Sequence, residues 1–152
     1  MSAGNIERLF PNLRSCGYTI TSEANVGYNC IAWAAEDNDK WWWPDAEHTC
    51  YWPENIPRDE TLDAFVKAYQ SLGYTVCSNQ EYEHGVDRIA IYTDNKDTPT
   101  HVARQLESGR WTSKLGQIED IEHNTLTGFN GSSYGHVAVI MKRPRRSNGN
   151  SI

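Results

Sequence analysis

The spacing of hydrophobic residues predicts an amphipathic helix in the middle of the chain. Between Asp59 and Gly73, hydrophobic side chains recur every three or four residues, as they do along one face of a helix. These side chains belong to Leu62, Phe65, Val66, Tyr69 and Leu72. Asp59 is a suitable residue to open this helix and Gly73 is a suitable residue to end it.

After Gly73 the pattern changes to the short runs that are typical of strands. The predicted strands are Tyr74–Cys77, Arg88–Thr93, Thr100–Leu106, Arg110–Leu115 and His136–Lys142. The connection between the third and fourth strands is short enough for an antiparallel hairpin. Because helical patterns precede the strands, we predict an α+β fold, with N-terminal helices packed on a C-terminal antiparallel sheet.

The length of 152 residues suits one domain. We place this domain at residues 1–143 and predict a disordered basic and polar tail at residues 144–152. The net charge of -6 argues against a nucleic-acid partner, because such a partner would require a basic face.

The chain lacks the patterns of exported and membrane proteins. No run approaches the ~20 apolar residues of a membrane span, and the first residues do not form a signal-peptide pattern. We therefore expect a cytoplasmic protein with no membrane partner. In a reducing compartment its four cysteines would be free thiols. They are Cys16, Cys30, Cys50 and Cys77.

Metal and cofactor sites are not predicted. The four cysteines form no Cys-x-x-Cys pair. Glu119, Asp120, Glu122 and His123 are ligand types close together, but no second histidine stands at the spacing of a zinc helix. His123 could instead cap a short helix, contact the candidate site of Cys30 and His101, or lie on the surface.

Cys30 is the candidate nucleophile. Asn29 is a typical N-cap residue before a short helical run from Ile31 to Ala35, so Cys30 would lie in the first turn of a helix. The positive end of a helix favours the thiolate. The alternative is that Cys30 is a small buried hydrophobic residue, as most free cysteines are.

A thiol nucleophile needs an imidazole partner, which usually comes from a distant part of the sequence. His101 is our first candidate, since Ser113 would lie roughly opposite it on the next strand and could orient the ring. Asp120 is the alternative orienting group. His136 is the rival base, although we predict no later strand that could orient it.

These residues resemble the papain-like cysteine hydrolase superfamily, in the compact NlpC/P60-like layout. Three segments carry the resemblance, and it extends to poorly characterised bacterial and phage-associated proteins. The segments are Tyr28-Asn29-Cys30-Ile-Ala-Trp-Ala, Thr100-His101-Val-Ala-Arg and Trp111-Thr-Ser113-Lys-Leu-Gly116. The resemblance implies a papain-like fold and acyl-transfer chemistry. It also implies that Asn25 and Asn29 are the amides nearest to an oxyanion.

Tryptophans are concentrated between the two predicted helices. Trp42, Trp43 and Trp52 lie in a segment that is broken by prolines and acidic residues. Two interpretations stay open: these rings form a local core, or they form the wall of a substrate groove.

Two functions follow from the sequence. The first is a cysteine peptidase or amidase that acts on a peptide or other amide. The second is a catalytically inactive binding or immunity-type module, with a protein partner bound through the tryptophan-rich loop.

Overall fold

The computed structural model describes residue 10, residue 13 and residues 17–21, 27–115, 120–126 and 134–145. Two α-helices lie wholly within these residues, and the strands among them form one sheet. The helices are α1 (Cys30–Ala34) and α2 (Leu62–Gln70). The strands are β1 (Tyr18–Ile20), β2 (Thr75–Cys77), β3 (Val86–Thr93), β4 (Pro99–Gln105), β5 (Trp111–Lys114), β6 (Asp120–His123) and β7 (His136–Pro144).

The described strands form a seven-stranded sheet in the order β1-β6-β5-β4-β3-β7-β2. Every neighbouring pair is antiparallel. The chain makes a meander from β3 to β6, and β7 then returns to pair with β3 on one side and β2 on the other. β3 and β4 therefore lie near the centre of the sheet.

The sheet separates two hydrophobic cores, because side chains alternate between its faces. On one face, Ile89, Ile91 and Val102 pack beneath α1, α2 and the tryptophan-rich segment. On the other face, Ala90 and Tyr92 pack with residues of β5 and β6. The two faces of the same central strands thus serve two different environments.

The predicted α+β, papain-like fold is wrong. The described structure is a mostly antiparallel sheet with few helices, and α1 and α2 have only five and nine residues. Helices of this length cover part of one face and do not form a helical layer. The long segment between them is irregular because it contains several prolines. Its buried positions are occupied by tryptophans that do not follow helical spacing.

Several local predictions are confirmed. Asn29 caps α1, and α2 forms around the predicted hydrophobic side chains. Its predicted start is wrong, because the helix begins at Leu62 with Thr61 as its N-cap and not at Asp59. The predicted hairpin is β4 and β5, with Gln105 opposite Trp111. We did not predict β6, because we interpreted its residues as a group of ligand-type side chains or as a short helix capped by His123.

The predicted tail begins inside the sheet. Pro144 ends β7, and Arg145 lies within 2.9 Å of a carboxylate oxygen of Asp87. Residues 146–152 lie outside the described residues. Among the described residues, no helix has the length and hydrophobicity needed to cross a bilayer.

Candidate functional site

A cavity of about 400 Å³ lies beside the start of α1. Its walls are mostly aromatic and sulfur-containing, and they come from four separate parts of the chain. The side chains that form it include Cys30, Trp41, Trp43, Cys50, Thr100 and Tyr134. A mostly apolar cavity with a few polar groups is the usual form of a ligand site.

Asn29 attaches the tryptophan-rich segment to α1. Its Oδ1 accepts hydrogen bonds from the backbone N–H groups of Ala32 and Trp42, each at 3.1 Å, and its Nδ2 donates to the Trp42 carbonyl oxygen at 2.7 Å. These three bonds use most of what a buried amide can offer. Asn29 therefore builds the cavity wall and is not placed to stabilise an oxyanion.

The three consecutive tryptophans separate into two environments. Trp42 pairs with Tyr51 as an isolated bridge and is buried in the core, where its indole donates to Asp37 Oδ2 at 2.8 Å. Trp41 and Trp43 line the cavity, and the Trp43 ring also packs against Phe65 of the core, with ring centroids 5.7 Å apart.

The sequence-based interpretation of the tryptophans is therefore divided. Of the three that we predicted at a substrate site, Trp43 lines the cavity beside Cys30. Trp42 and Trp52 belong to the buried core, and the Trp52 ring lies 5.2 Å from that of Phe65. Trp52 also lines a separate cavity of about 440 Å³.

The Cys30 thiol is neutral at physiological pH. Burial raises its pKa to about 11, since the side chain is only 8% exposed; contacts with nearby backbone groups, first that of Val102, oppose the rise without cancelling it. The helix that follows has five residues, so its dipole is short. The thiolate form that a nucleophile needs is therefore rare.

His101 lies on the opposite face of β4 from Cys30. The backbone of Val102 contacts the Cys30 thiol, and Arg104 Nε donates to the backbone oxygen of Trp33 in α1 at 3.3 Å. Residues 102 and 104 thus face α1. Alternation directs the side chain of His101 to the other face, so β4 does not present this imidazole to Cys30 in the manner of a dyad.

On that other face, His101 belongs to a buried polar array. Its Nε2 lies 2.9 Å from Ser113 Oγ, and the same hydroxyl lies 2.8 Å from His123 Nε2. His123 Nδ1 lies 2.9 Å from the backbone oxygen of Thr125. We predicted Ser113 opposite His101; the structure also adds His123, which is fully buried on β6.

The direction of each hydrogen bond in this array follows from the Thr125 carbonyl, which can only accept. His123 therefore carries its proton on Nδ1, and its Nε2 accepts from the Ser113 hydroxyl. The Ser113 oxygen in turn accepts from His101 Nε2–H. Burial lowers the pKa of His101 well below its ordinary value and that of His123 to about 4, so both rings are neutral.

Tyr134 links the two faces at the end of the sheet. Its ring stacks on the His101 ring, with centroids 4.2 Å apart and planes 7° apart, and the same residue lines the cavity beside Cys30. Its backbone oxygen accepts a hydrogen bond from Thr100. The sequence contained no signal for this role, because Tyr134 stands alone before Gly135.

The remaining predicted groups lie elsewhere. Asp120 faces α1, where its Oδ2 accepts a hydrogen bond from the Tyr28 hydroxyl at 2.6 Å, so it does not orient His101. His136 is exposed at the start of β7. Asn25 and Cys16 lie outside the described residues.

Sequence reasoning missed Trp41, Cys50 and Tyr134 as lining residues. Alternation within the Trp41–Trp43 run was the available signal, since it puts the first and third rings on one side. Among the described residues, no group of three or more His, Cys, Asp or Glu side chains is arranged to hold a metal ion.

A family model described as "Domain of unknown function (DUF7689)" matches residues 19–142, which is most of the chain. The chain therefore belongs to this family. No curated protein matches the chain, and no solved structure does. The papain-like resemblance stays a prediction drawn from three short motifs, and the fold that it implied is not the one found.

Proposed function

We propose that this DUF7689 protein is a binding module whose ligand site is the cavity beside Cys30. The observation that carries this proposal is the cavity itself, with Trp41, Trp43 and Tyr134 in its walls. Aromatic side chains offer large contact surfaces at low entropic cost, which favours binding. The volume of about 400 Å³ suits one side chain or a small molecule.

The hydrolase hypothesis has less support. Catalysis by Cys30 would need a thiolate and a nearby imidazole, whereas burial raises the pKa of this thiol to about 11 and strand alternation turns His101 to the other face. The array of His101, Ser113 and His123 is buried, which favours a structural role.

Ligand binding is tested with N-phenyl-1-naphthylamine, a neutral aromatic probe that becomes fluorescent in apolar sites. The variant Cys50→Phe fills the cavity and should abolish the fluorescence increase. Cys77→Phe is the matched control, because Cys77 is also half-buried but lies on β2, away from the cavity. The proposal fails if the natural protein does not bind the probe, or if both variants bind it equally.

The state of Cys30 is tested by its rate of alkylation with iodoacetamide between pH 6 and 10, followed by mass spectrometry of peptides. A thiol with a pKa of about 11 has roughly a hundredfold less thiolate at pH 7.5 than one at the ordinary 9.0. Cys30 should therefore react far more slowly than Cys77 in the same sample. Rapid alkylation of Cys30 below pH 8 would contradict this and favour the hydrolase hypothesis.

A further inference from the structure

One wall of the cavity comes from the most acidic part of the chain. Residues 36–63 contain nine acidic and two basic residues, a net charge of -7, against -6 for the whole protein. This segment, which we call the acidic segment, includes Trp41, Trp43 and Cys50 of the cavity wall. The rest of the chain is therefore close to neutral, and the negative charge of the protein is concentrated in the segment that supplies one wall of the cavity.

The two cations of the acidic segment are already paired within it. Lys40 Nζ lies 3.1 Å from Asp37 Oδ2, and Arg58 lies 3.1 Å from Asp45 Oδ1. In the part of the chain that the structure describes, five further carboxylates of the segment are exposed and have no ion-pair partner. They are Asp39, Glu47, Glu54, Asp59 and Glu60.

One of these five carboxylates contacts the cavity wall. The indole N–H of Trp43 donates to Glu60 Oε2 at 3.2 Å. The Glu60 carboxylate thus lies at the edge of the Trp43 ring, and Trp43 is also one of the residues that line the cavity. Indole and phenol faces attract cations, and they do so more strongly when water is excluded.

We propose that this cavity binds the ammonium side chain of a lysine from a basic partner polypeptide; this proposal rests on the binding function proposed above. The apolar walls would pack against the methylene stem, and the rings of Trp41, Trp43 and Tyr134 would lie near the ammonium group, with Glu60 at the rim. The unpaired carboxylates exceed what one ammonium needs, which favours a polypeptide with several positive charges over a small cation.

The test uses a seven-residue peptide in which lysine alternates with glycine, and the same peptide with every lysine Nε-acetylated. Acetylation keeps the length of the side chain and removes its charge. The unmodified peptide should quench tryptophan emission and bind at least tenfold more tightly than the acetylated one. The affinity of the unmodified peptide should decrease as the salt concentration is raised from 50 to 300 mM.

Two variants locate the interaction. Glu60→Gln should weaken binding of the unmodified peptide severalfold, whereas Glu81→Gln, at another exposed carboxylate outside the acidic segment, should not. Cys50→Phe should also weaken it, because the filled cavity leaves no room for the side chain. Unchanged affinity in Cys50→Phe would show adhesion to the acidic surface alone and would overturn the insertion of lysine.

The outcomes separate this proposal from the one on which it rests. Equal affinity for the two peptides would overturn recognition of a cation. Binding of the neutral aromatic probe without binding of either peptide would reject the lysine ligand and leave the binding function intact. If neither the probe nor the peptides bind, both proposals fail.

Discussion

Asn29 is the residue on which the geometry of the cavity depends most. It caps α1 and holds both backbone polar groups of Trp42. The sequence predicted the capping role, because an Asn before a helical run is a local pattern. It could not predict the bonds to Trp42, because they join residues thirteen positions apart through an irregular segment.

Asn29→Ala should lower the free energy of unfolding by about 2 kcal/mol, since it removes a cap and leaves the backbone groups of Trp42 buried without their partner. Asn29→Ser is the control: its hydroxyl can still cap α1, but the shorter side chain should not also reach the Trp42 carbonyl. We expect an intermediate loss for this variant in urea unfolding. Equal stability of the alanine variant and the natural protein would show that these bonds contribute nothing.

The site residues on strands were more predictable than those on loops. His101 and Ser113 come together because a short turn sets the register of the β4–β5 hairpin, and that turn is visible in the sequence. Tyr134 reaches His101 and the cavity through tertiary packing. Packing of that kind leaves no periodic pattern in the chain.

At the scale of elements, Gly135 determines how β7 enters the sheet. Its φ is +81°, and a Cβ at this position would lie 1.9 Å from the backbone oxygen of Thr93. The close approach is to backbone, which cannot rotate away as a side chain can. Gly135 thereby holds the start of β7 against β3 and places Tyr134 at the cavity.

Gly135→Ala should be strongly destabilising, by about 3 kcal/mol or more, because backbone strain and a steric clash add together. Gly85→Ala is a matched control, with a φ of +80° but no atom within 4 Å of the added Cβ. Its loss should be about 1 kcal/mol. Similar melting temperatures for the two variants would contradict the role of the Thr93 contact.

The strand β6 shows why some elements escape a reading of the sequence. Three of its four residues are polar or charged, so the pattern has too few hydrophobic positions to predict a strand. Ile121 and His123 nevertheless alternate inward against β5. The buried His123 stands where a hydrophobic residue would be expected, and its hydrogen bonds to Ser113 and Thr125 offset the cost of burying its ring nitrogens.

At the scale of the whole molecule, the two buried histidines connect stability to pH. Burial lowers the pKa of His101, and lowers that of His123 from 6.5 to about 4. Between pH 6.5 and the lowered pKa values of the native protein, the two histidines take up protons in the unfolded chain but not in the native protein. The free energy of unfolding therefore falls as the pH drops below 6.5, and it does not depend on these groups at higher pH.

We expect the free energy of unfolding to fall by up to about 1.4 kcal/mol per pH unit for each histidine below pH 6.5, and for His123 this fall should end at about pH 4. Urea unfolding at a series of pH values measures this slope. His123→Gln should make the profile shallower, whereas His84→Gln, at an exposed position, should leave it unchanged. A flat profile from pH 7 to pH 5 would show that the histidines titrate alike in both states.

The sheet order has a consequence for how the protein is made. β7 is the last described strand, yet it lies between β3 and β2, and its pairs with β3 join residues 43 to 58 positions apart. During translation, the edge of β3 that pairs with β7 stays unpaired until β7 has left the ribosome. Contacts between residues this far apart in sequence slow folding and prolong the exposure of an aggregation-prone strand edge. The nascent chain should therefore depend on chaperones at that stage.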